Sequence, residues 1–326
     1  MIIAARNEEK HLPELLEILF NQSYKKDDYE IIVADDRSID RTSEIIEQLQ
    51  KDNINLKLIK IHKENKKIVG KKGALDAAIK EAKYDILAFT DADCLPSKNW
   101  LLEINKHFTA DTDFIAGYSP LIVKNKFLSF LKNLERASIF AINAGSFGWN
   151  WGITCTARNM AYRKSLFNKA NGFSGIGYLS SGDDDLMLQK ISKYTKKMNF
   201  MFSQHSIVES YDKRNLHEHA DLESRRASKW KYYPLSIKLM TLFIFTYYII
   251  FLLSFIGFIF NYISAVNFLY ILLIKIISEF LLLLIFLIKI QRKRLLLAFP
   301  LAELVYIPYF IFFALKGTFG TFKWKN

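Results

Sequence analysis

The chain has 326 residues, 45 lysines and arginines against 33 aspartates and glutamates, and a formal net charge of +12. That length provides one large domain or two of ordinary size, while two cysteines, Cys94 and Cys155, exclude a disulfide scaffold or a cysteine-rich zinc module. Thirteen glycines and six prolines exclude collagen-like and linker-type chains. The mean hydropathy of +0.06 averages two unlike regions. Nearly all the charge precedes Ser236, and long apolar runs follow it.

From the N-terminus, residues 1–5 read as a short strand and residues 9–20 as a helix with Leu12, Leu15, Leu16 and Leu19 on one face. Residues 30–34 form a predicted strand that ends in Asp35-Asp36. Ser38 or Asp40 can cap the next helix, whose apolar face includes Ile45, Ile46 and Leu49. Residues 56–61 are a third strand, residues 73–82 are helical by composition, and residues 86–90 are a fourth strand ending in Asp91-Ala92-Asp93. Strands alternating with helices predict an open, mainly parallel α/β sheet. Residues 57–72 hold seven lysines and a single acid, Glu64. No zinc finger, helix-turn-helix spacing or aromatic RNA motif accompanies them, so they read as a solvated face and not as a nucleic-acid site.

Beyond Ser236, three segments approach the roughly 20 apolar residues needed to cross a hydrocarbon core. Residues 239–260 carry no charge. Residues 265–288 are apolar except for Asn267, Lys275 and Glu279, and the last two stand four apart on one helix face, where they can pair. Residues 295–315 contain Pro300, Glu303 and Pro308, so a kinked, re-entrant or interfacial piece is expected there. Arg225, Arg226, Lys229, Lys231 and Lys238 precede the first segment, and Lys289, Arg292, Lys293 and Arg294 follow the second. Basic flanks face the cytoplasm. The expected organisation is therefore a cytoplasmic α/β domain over residues 1–235 and a multi-pass region over 236–326 in the cytoplasmic membrane. The opening MIIAARNEEK has no apolar stretch of signal-peptide length, so that domain is expected to stay inside. The tail from Lys316 is also basic, and its side stays open.

Ligands of open α/β sheets collect at the carboxyl ends of the strands. Asp35-Asp36 and Asp91–Asp93 both sit there, each directly after an apolar strand. On an extended chain Asp91 and Asp93 face the same way, which suits a hard divalent ion that also takes diphosphate oxygens. Neither a P-loop signature nor G-x-G-x-x-G occurs near the N-terminus, which counts against a P-loop NTPase or a nicotinamide dehydrogenase. Asp35 and Asp36 could instead accept from a base or ribose, while Arg6 and Lys72 could meet phosphate. A third cluster, Gly182-Asp183-Asp184-Asp185, opens a helix. Three acids in succession exceed what capping needs, and one of them could act as a general base.

Taken together these segments resemble glycosyltransferase family 2, inverting enzymes with the GT-A fold, here with a C-terminal membrane anchor. AARNEEKHLPELLEIL resembles the family's opening strand, loop and helix, and EIIVADDRSIDRT its nucleotide-binding segment. GKKGALDAAI resembles the donor-loop helix and ILAFTDADCLPSKNWL the D-x-D strand. TARNMAYRKSLFNKANGF followed by SGDDDLMLQKI resembles the acceptor region and catalytic acidic motif. The resemblance implies a nucleotide-sugar site made of Ala5, Arg6, Glu8, Asp35, Asp36, Lys72, Asp91 and Ala92, with Asp93 holding Mn2+ or Mg2+. It implies a base at Asp183 or Asp184; counting from Gly182 favours Asp184, and counting back from Leu186 favours Asp183. Related membrane synthases carry Q-x-x-R-W near the anchor. ESRRASKWKYY offers Arg226, Lys229 and Trp230 in that spacing without the glutamine, which departs from a processive synthase. The implied activity is transfer of a sugar from a donor, UDP-linked by expectation, to a lipid or glycolipid acceptor at the bilayer. A small polysaccharide synthase and a catalytically silent nucleotide-sugar binder are the rivals.

Overall fold

The computed structural model describes residues 1–212 and 216–319. Residues 1–122 and 142–211 form one compact unit; residues 123–141 and those from 212 onward form another.

The first unit opens with β1 (Ile2–Ala5), α1 (Leu12–Phe20), β2 (Ile31–Asp35), α2 (Thr42–Gln50), β3 (Leu56–Lys60), α3 (Lys71–Glu81) and β4 (Ile86–Phe89). It continues with β5 (Cys94–Pro96), α4 (Trp100–His107), β6 (Phe114–Gly117), β7 (Leu121–Ile122) and the end of α5 (Lys126–Gly148). It closes with β8 (Met160–Arg163), α6 (Lys164–Lys169), α7 (Asp185–Ile191), β9 (Met198–Met201) and β10 (Val208–Tyr211). Seven strands make one sheet in the order β3-β2-β1-β4-β8-β6-β9. β3, β2, β1 and β4 run parallel, β8 is antiparallel to both β4 and β6, and β9 is parallel to β6. A three-stranded sheet, β5-β10-β7, stands beside it in sequence and pairing.

Sequence explains the layers. Every residue of β2 is buried, as a central parallel strand covered on both faces requires. Leu12, Leu15, Leu16 and Leu19 of α1 are fully buried, each contributing on the order of 1.5–3 kcal/mol of hydrophobic stabilisation. Pro13 occupies the first turn of α1, so this helix starts at Leu12 and not at residue 9. Ala5 stands opposite Asp35 across β1 and β2. Adjacent parallel strands therefore end together, and their loops emerge at one edge.

The second unit contains the beginning of α5, then α8 (Leu216–Ser228), α9 (Leu235–Ile259), α10 (Ala265–Lys289) and α11 (Phe299–Phe319). Leu235–Ile259, Ala265–Lys289 and Lys293–Lys316 are long and apolar enough to cross a membrane by length and composition. Helix α11 continues through Pro308 as one element, as transmembrane-type helices tolerate when neighbouring groups re-satisfy the freed backbone. Lys275, 1% exposed, lies 2.9 Å from Glu279 and also pairs with Glu303 of α11, while the Tyr248 hydroxyl of α9 reaches Glu279 at 3.4 Å. One polar cluster thus ties all three helices. The side chain of Arg225 and the tail residues 320–326 lie outside the described residues.

Candidate active site

The loops that follow β1 and β2 are laced together. The Asn7 N–H donates to the Ser38 hydroxyl (2.9 Å), the Glu8 N–H to the Thr42 hydroxyl (2.8 Å) and the Glu9 N–H to Asp40 (3.1 Å). The Ala5 carbonyl accepts from the Asp36 N–H at 2.8 Å, and Arg6 projects exposed from the same loop. Asp35 is buried and accepts from the Ser38 N–H at 3.0 Å and from the Ser43 hydroxyl, so its carboxylate organises the turn into α2. Asp36 accepts from Arg37 Nε at 2.9 Å. Arg37 in turn reaches Glu64 at 3.2 Å, and Glu64 accepts the Gly70 N–H at 3.0 Å. The lone acid of the lysine-rich stretch therefore joins the loop after β2 to the start of α3. These two hydrogen bonds, the Arg37 one first, hold its carboxyl below the usual range.

Gly70, with φ +56°, turns the chain into α3 and presents two adjacent lysines to different surroundings. Lys71 Nζ lies 2.6 Å from Asp91 and 2.8 Å from Asp183, acids 92 positions apart in the chain. Burial alone would lower the Lys71 pKa, but the Asp183 and Asp91 charges outweigh it and hold the ammonium above its ordinary range. Lys72 is buried and donates to the Ser181 carbonyl at 2.7 Å. Lys72, a candidate to meet phosphate, is thus engaged with a backbone carbonyl, and the ammonium that stands between the acids is that of Lys71.

Asp91 also meets Arg158 at 3.4 Å. Burial would push its carboxyl up, yet the charges of Lys71 and Arg158 prevail and hold it below the usual range. Ala92 is buried, and ligand atoms of Asp91, Asp93 and Cys94 all fall within 4.8 Å of one another. Burial pushes the Cys94 thiol up, and its soft sulfur suits hard oxygen-seeking ions poorly. The remaining donors are two carboxylates, which fit Mn2+ or Mg2+. Among the described residues Asp93 contacts no lysine or arginine, which leaves its charge for a cation. Glu8 adds to this acidic edge. Its carboxyl is raised, first by burial and further by Asp93 and Asp91, against a hydrogen bond with His11.

The third cluster divides its labour. Asp183 faces Lys71, whereas Asp184 is the N-cap of α7 and accepts the Asp185 N–H at 2.7 Å. Asp185 is buried and accepts the Leu186 N–H at 2.8 Å. Gly182, with φ +90°, has no room for a side chain, since a Cβ would stand 2.4 Å from Leu186. Asp91, Asp93 and Asp183 are thus brought together, and Asp36 connects to them through Arg37, Glu64 and Gly70. Arg226, Lys229 and Trp230 belong to the second unit. There Arg226 pairs with Glu223 at 2.6 Å, and Lys229 and Trp230 lie in the turn Lys229–Tyr232.

The sequence reading passed over Lys71 and Arg158. For Lys71 the helical pattern does not decide: Lys72, Leu75, Asp76 and Ile79 share the i, i+3, i+4, i+7 spacing, and so do Lys71, Ala74, Leu75 and Ala78. Arg158 comes from a loop before β8 and has no local signal.

A mixed α/β sheet beside which D-x-D acids, a lysine and a second acidic motif meet has the architecture of a GT-A glycosyltransferase. Residues 1–170 match the family model "Glycosyl transferase family 2", and the chain belongs to that family. A Methanococcus voltae relative is 33% identical over 127 residues, 38% of this chain and 39% of the relative. It is a dolichyl N-acetyl-alpha-D-glucosaminyl phosphate 3-beta-D-2,3-diacetamido-2,3-dideoxy-beta-D-glucuronosyltransferase. The chain thus spans less than half of that curated relative. S. aureus TarS 1–349, solved with UDP-GlcNAc, superposes with a TM-score of 0.50 at 20% identity, covering 70% of this chain and 65% of that one. The Pyrobaculum calidifontis mannosyltransferase PcManGT, solved with GDP-Man and Mn2+, gives 0.51 at 18% identity, over 70% and 60%. The fold is the mixed α/β GT-A fold of these transferases.

Proposed function

We propose that this chain is a membrane-anchored inverting glycosyltransferase that moves a sugar from a nucleotide-sugar, a UDP-sugar in the first instance, to a lipid-linked acceptor. The observation that carries this reading is Lys71 standing between Asp91 and Asp183 beside the free carboxylate of Asp93. It joins donor-side acids to a candidate base. The lipid acceptor is supported by the three candidate spans and by the dolichyl-phosphate chemistry named in the M. voltae relative. The basic flanks of those spans support a cytoplasmic site at the cytoplasmic membrane.

In this reading Asp183 accepts the proton of the acceptor hydroxyl, whose oxygen attacks the anomeric carbon. The carbon–oxygen bond to the diphosphate breaks, and its electron pair leaves with the nucleoside diphosphate. One displacement with no covalent enzyme intermediate inverts the configuration. Lys71 offsets negative charge next to the leaving group, and Arg158 keeps Asp91 ionised and in place. Asp93 with Asp91 would hold a divalent ion, whose positive charge would offset the charge of the diphosphate. Asp36 and its loop hold the nucleoside, and Asp184 starts the helix that presents Asp183.

The test uses membranes containing the full chain, given radiolabelled UDP-glucose, UDP-N-acetylglucosamine or GDP-mannose. Label is expected in the organic lipid extract with wild type and not with Asp93→Ala. Long water-soluble polymer would favour the polysaccharide synthase. Nucleotide-sugar binding without transfer from any donor to any membrane extract would overturn the reading in favour of a silent binder.

A further inference from the structure

The candidate base sits on a loop that has little regular structure to hold it. Between α6 and α7 the chain passes Gly172, Gly175, Gly177 and Gly182, and all but Gly177 have positive φ. Such a stretch has wide backbone freedom, yet a base must be held to within about 0.5 Å of its working position. The restraint comes from the segment that starts α3. The Val69 N–H donates to the Gly177 carbonyl at 3.0 Å, Lys72 Nζ to the Ser181 carbonyl at 2.7 Å, and Lys71 meets Asp183 at 2.8 Å. The two segments also touch closely, since a Cβ on Gly177 would stand 2.6 Å from the Lys67 carbonyl oxygen. At the other side of the loop Lys190 donates to the carbonyls of Gly172 and Ser174.

Lys72 is 2% exposed. A buried ammonium is costly unless it serves fixed acceptors, and the Ser181 acceptor lies two residues before Asp183. We infer that Lys72 is a positioning residue: its ammonium pins the Ser181 carbonyl and thereby sets the Asp183 carboxylate against the donor-side acids. This rests on the reading of Asp183 as the base. Residues 67–76 and 176–183 then behave as one piece, and donor-side geometry is transmitted to the base through the backbone and not through Lys71 alone.

The experiment compares Lys72→Met, Gly177→Ala and Asp183→Asn in the full membrane-embedded chain. Three quantities are read: UDP affinity with Mn2+, transfer from the donor panel above, and amide hydrogen exchange. Lys72→Met keeps the length of the side chain without the charge. It is expected to leave UDP affinity within about twofold and to lower turnover by about 10- to 100-fold, the penalty of a base misplaced by an ångström or less. Exchange should quicken at residues 176–183 and not across β1–β4. Added to Asp183→Asn, Lys72→Met should cost nothing more, because both act through one group. Gly177→Ala, which pries the segments apart without touching the side chains of Lys71 or Lys72, should give the same signature. It decides the matter should Lys72→Met fail to fold. Unchanged turnover in the folded variant, with Asp183→Asn inactive, overturns the positioning role and leaves the base standing. A tenfold loss of UDP affinity at unchanged saturated turnover also overturns it, since Lys72 would then be a phosphate ligand. Activity in Asp183→Asn overturns the base itself.

Discussion

Neighbouring acids with opposite duties permit a sharp comparison of Asp183→Asn with Asp184→Asn. Asparagine keeps the shape of Asp183 and removes its charge. Lys71 is not stranded by the change, because Asp91 remains at 2.6 Å, and Asp91 keeps Arg158 at 3.4 Å. The loss is one charge-assisted contact that a neutral carbonyl can partly replace, so stability should fall by about 1 kcal/mol. Turnover should fall much further, by about 100- to 10,000-fold, the usual weight of a general base. That corresponds to roughly 2.7–5.5 kcal/mol on the barrier. At position 184 the accounting reverses. The Asp184 carboxylate caps α7 through the Asp185 N–H at 2.7 Å, and asparagine caps a helix about as well as aspartate. Asp184→Asn should therefore keep turnover within about threefold, and Asp184→Ala should lose about 1 kcal/mol of stability. Single-turnover transfer at saturating donor measures the first quantity, and thermal unfolding with and without UDP and Mn2+ the second. An inactive Asp184→Asn beside an active Asp183→Asn would refute the division of roles.

Three further outcomes are expected. Lys275→Met leaves Glu279 and Glu303 facing each other without their shared ammonium, and should cost about 3–5 kcal/mol in detergent-solubilised protein, with most of it recovered when both acids become glutamine. Equal melting of Lys275→Met and wild type would show that the cluster contributes nothing. Tyr162 carries a buried hydroxyl with no partner among the described residues, between the stacked rings of Phe89 and Phe114; Tyr162→Phe should therefore leave stability unchanged or raise it by up to about 1 kcal/mol, and a clear drop in melting temperature would contradict this. Mass spectrometry after iodoacetamide at about pH 8.5 should find Cys155 alkylated and Cys94 spared until the chain unfolds, because burial holds the Cys94 thiol well above its ordinary range.

Much of this architecture is legible from local pattern. Strands β1, β2 and β4 read as apolar runs because central parallel strands are buried on both faces, whereas the edge strand β3 alternates with lysines, and the acids at the ends of β2 and β4 are conspicuous because polarity changes there abruptly. The limits are equally physical. Asp183 and Asp184 cannot be told apart by counting; only the start of α7 shows which carboxylate is spent on a helix end. Lys71 and Lys72 differ by about 100° around a helix, and which one faces the acids depends on where Gly70 turns the chain. Pro308 marks a disturbed helical ladder in the sequence, yet α11 continues through it as one element. The pairing of β5 with β10 joins residues more than 110 positions apart, and no short-range periodicity announces such a contact.

Charge balance explains why these acids can converge at all. Asp91 and Asp183 share Lys71, and Arg158 adds a second cation to Asp91. Two cations thus stabilise two carboxylates and fix them in a partly buried place where like charges would otherwise repel strongly. Asp93 is outside this arrangement: among the described residues it pairs with no lysine or arginine and accepts from the Cys94 thiol at 3.7 Å. The negative charge of the site is therefore concentrated at one carboxylate, beside a second that is already oriented. A small divalent ion gains most at such a point, and a diphosphate gains from the ion and Lys71 together. Glu8 responds in the opposite sense, its proton held more tightly as Asp93 and Asp91 approach. A cation bound at Asp93 would weaken that hold and release the Glu8 proton, so metal binding at mildly acidic pH should be accompanied by proton release. Calorimetry of Mn2+ binding in buffers of different ionisation enthalpy measures that release directly, and a proton count that stays the same after Glu8→Gln would show that Glu8 is not the source.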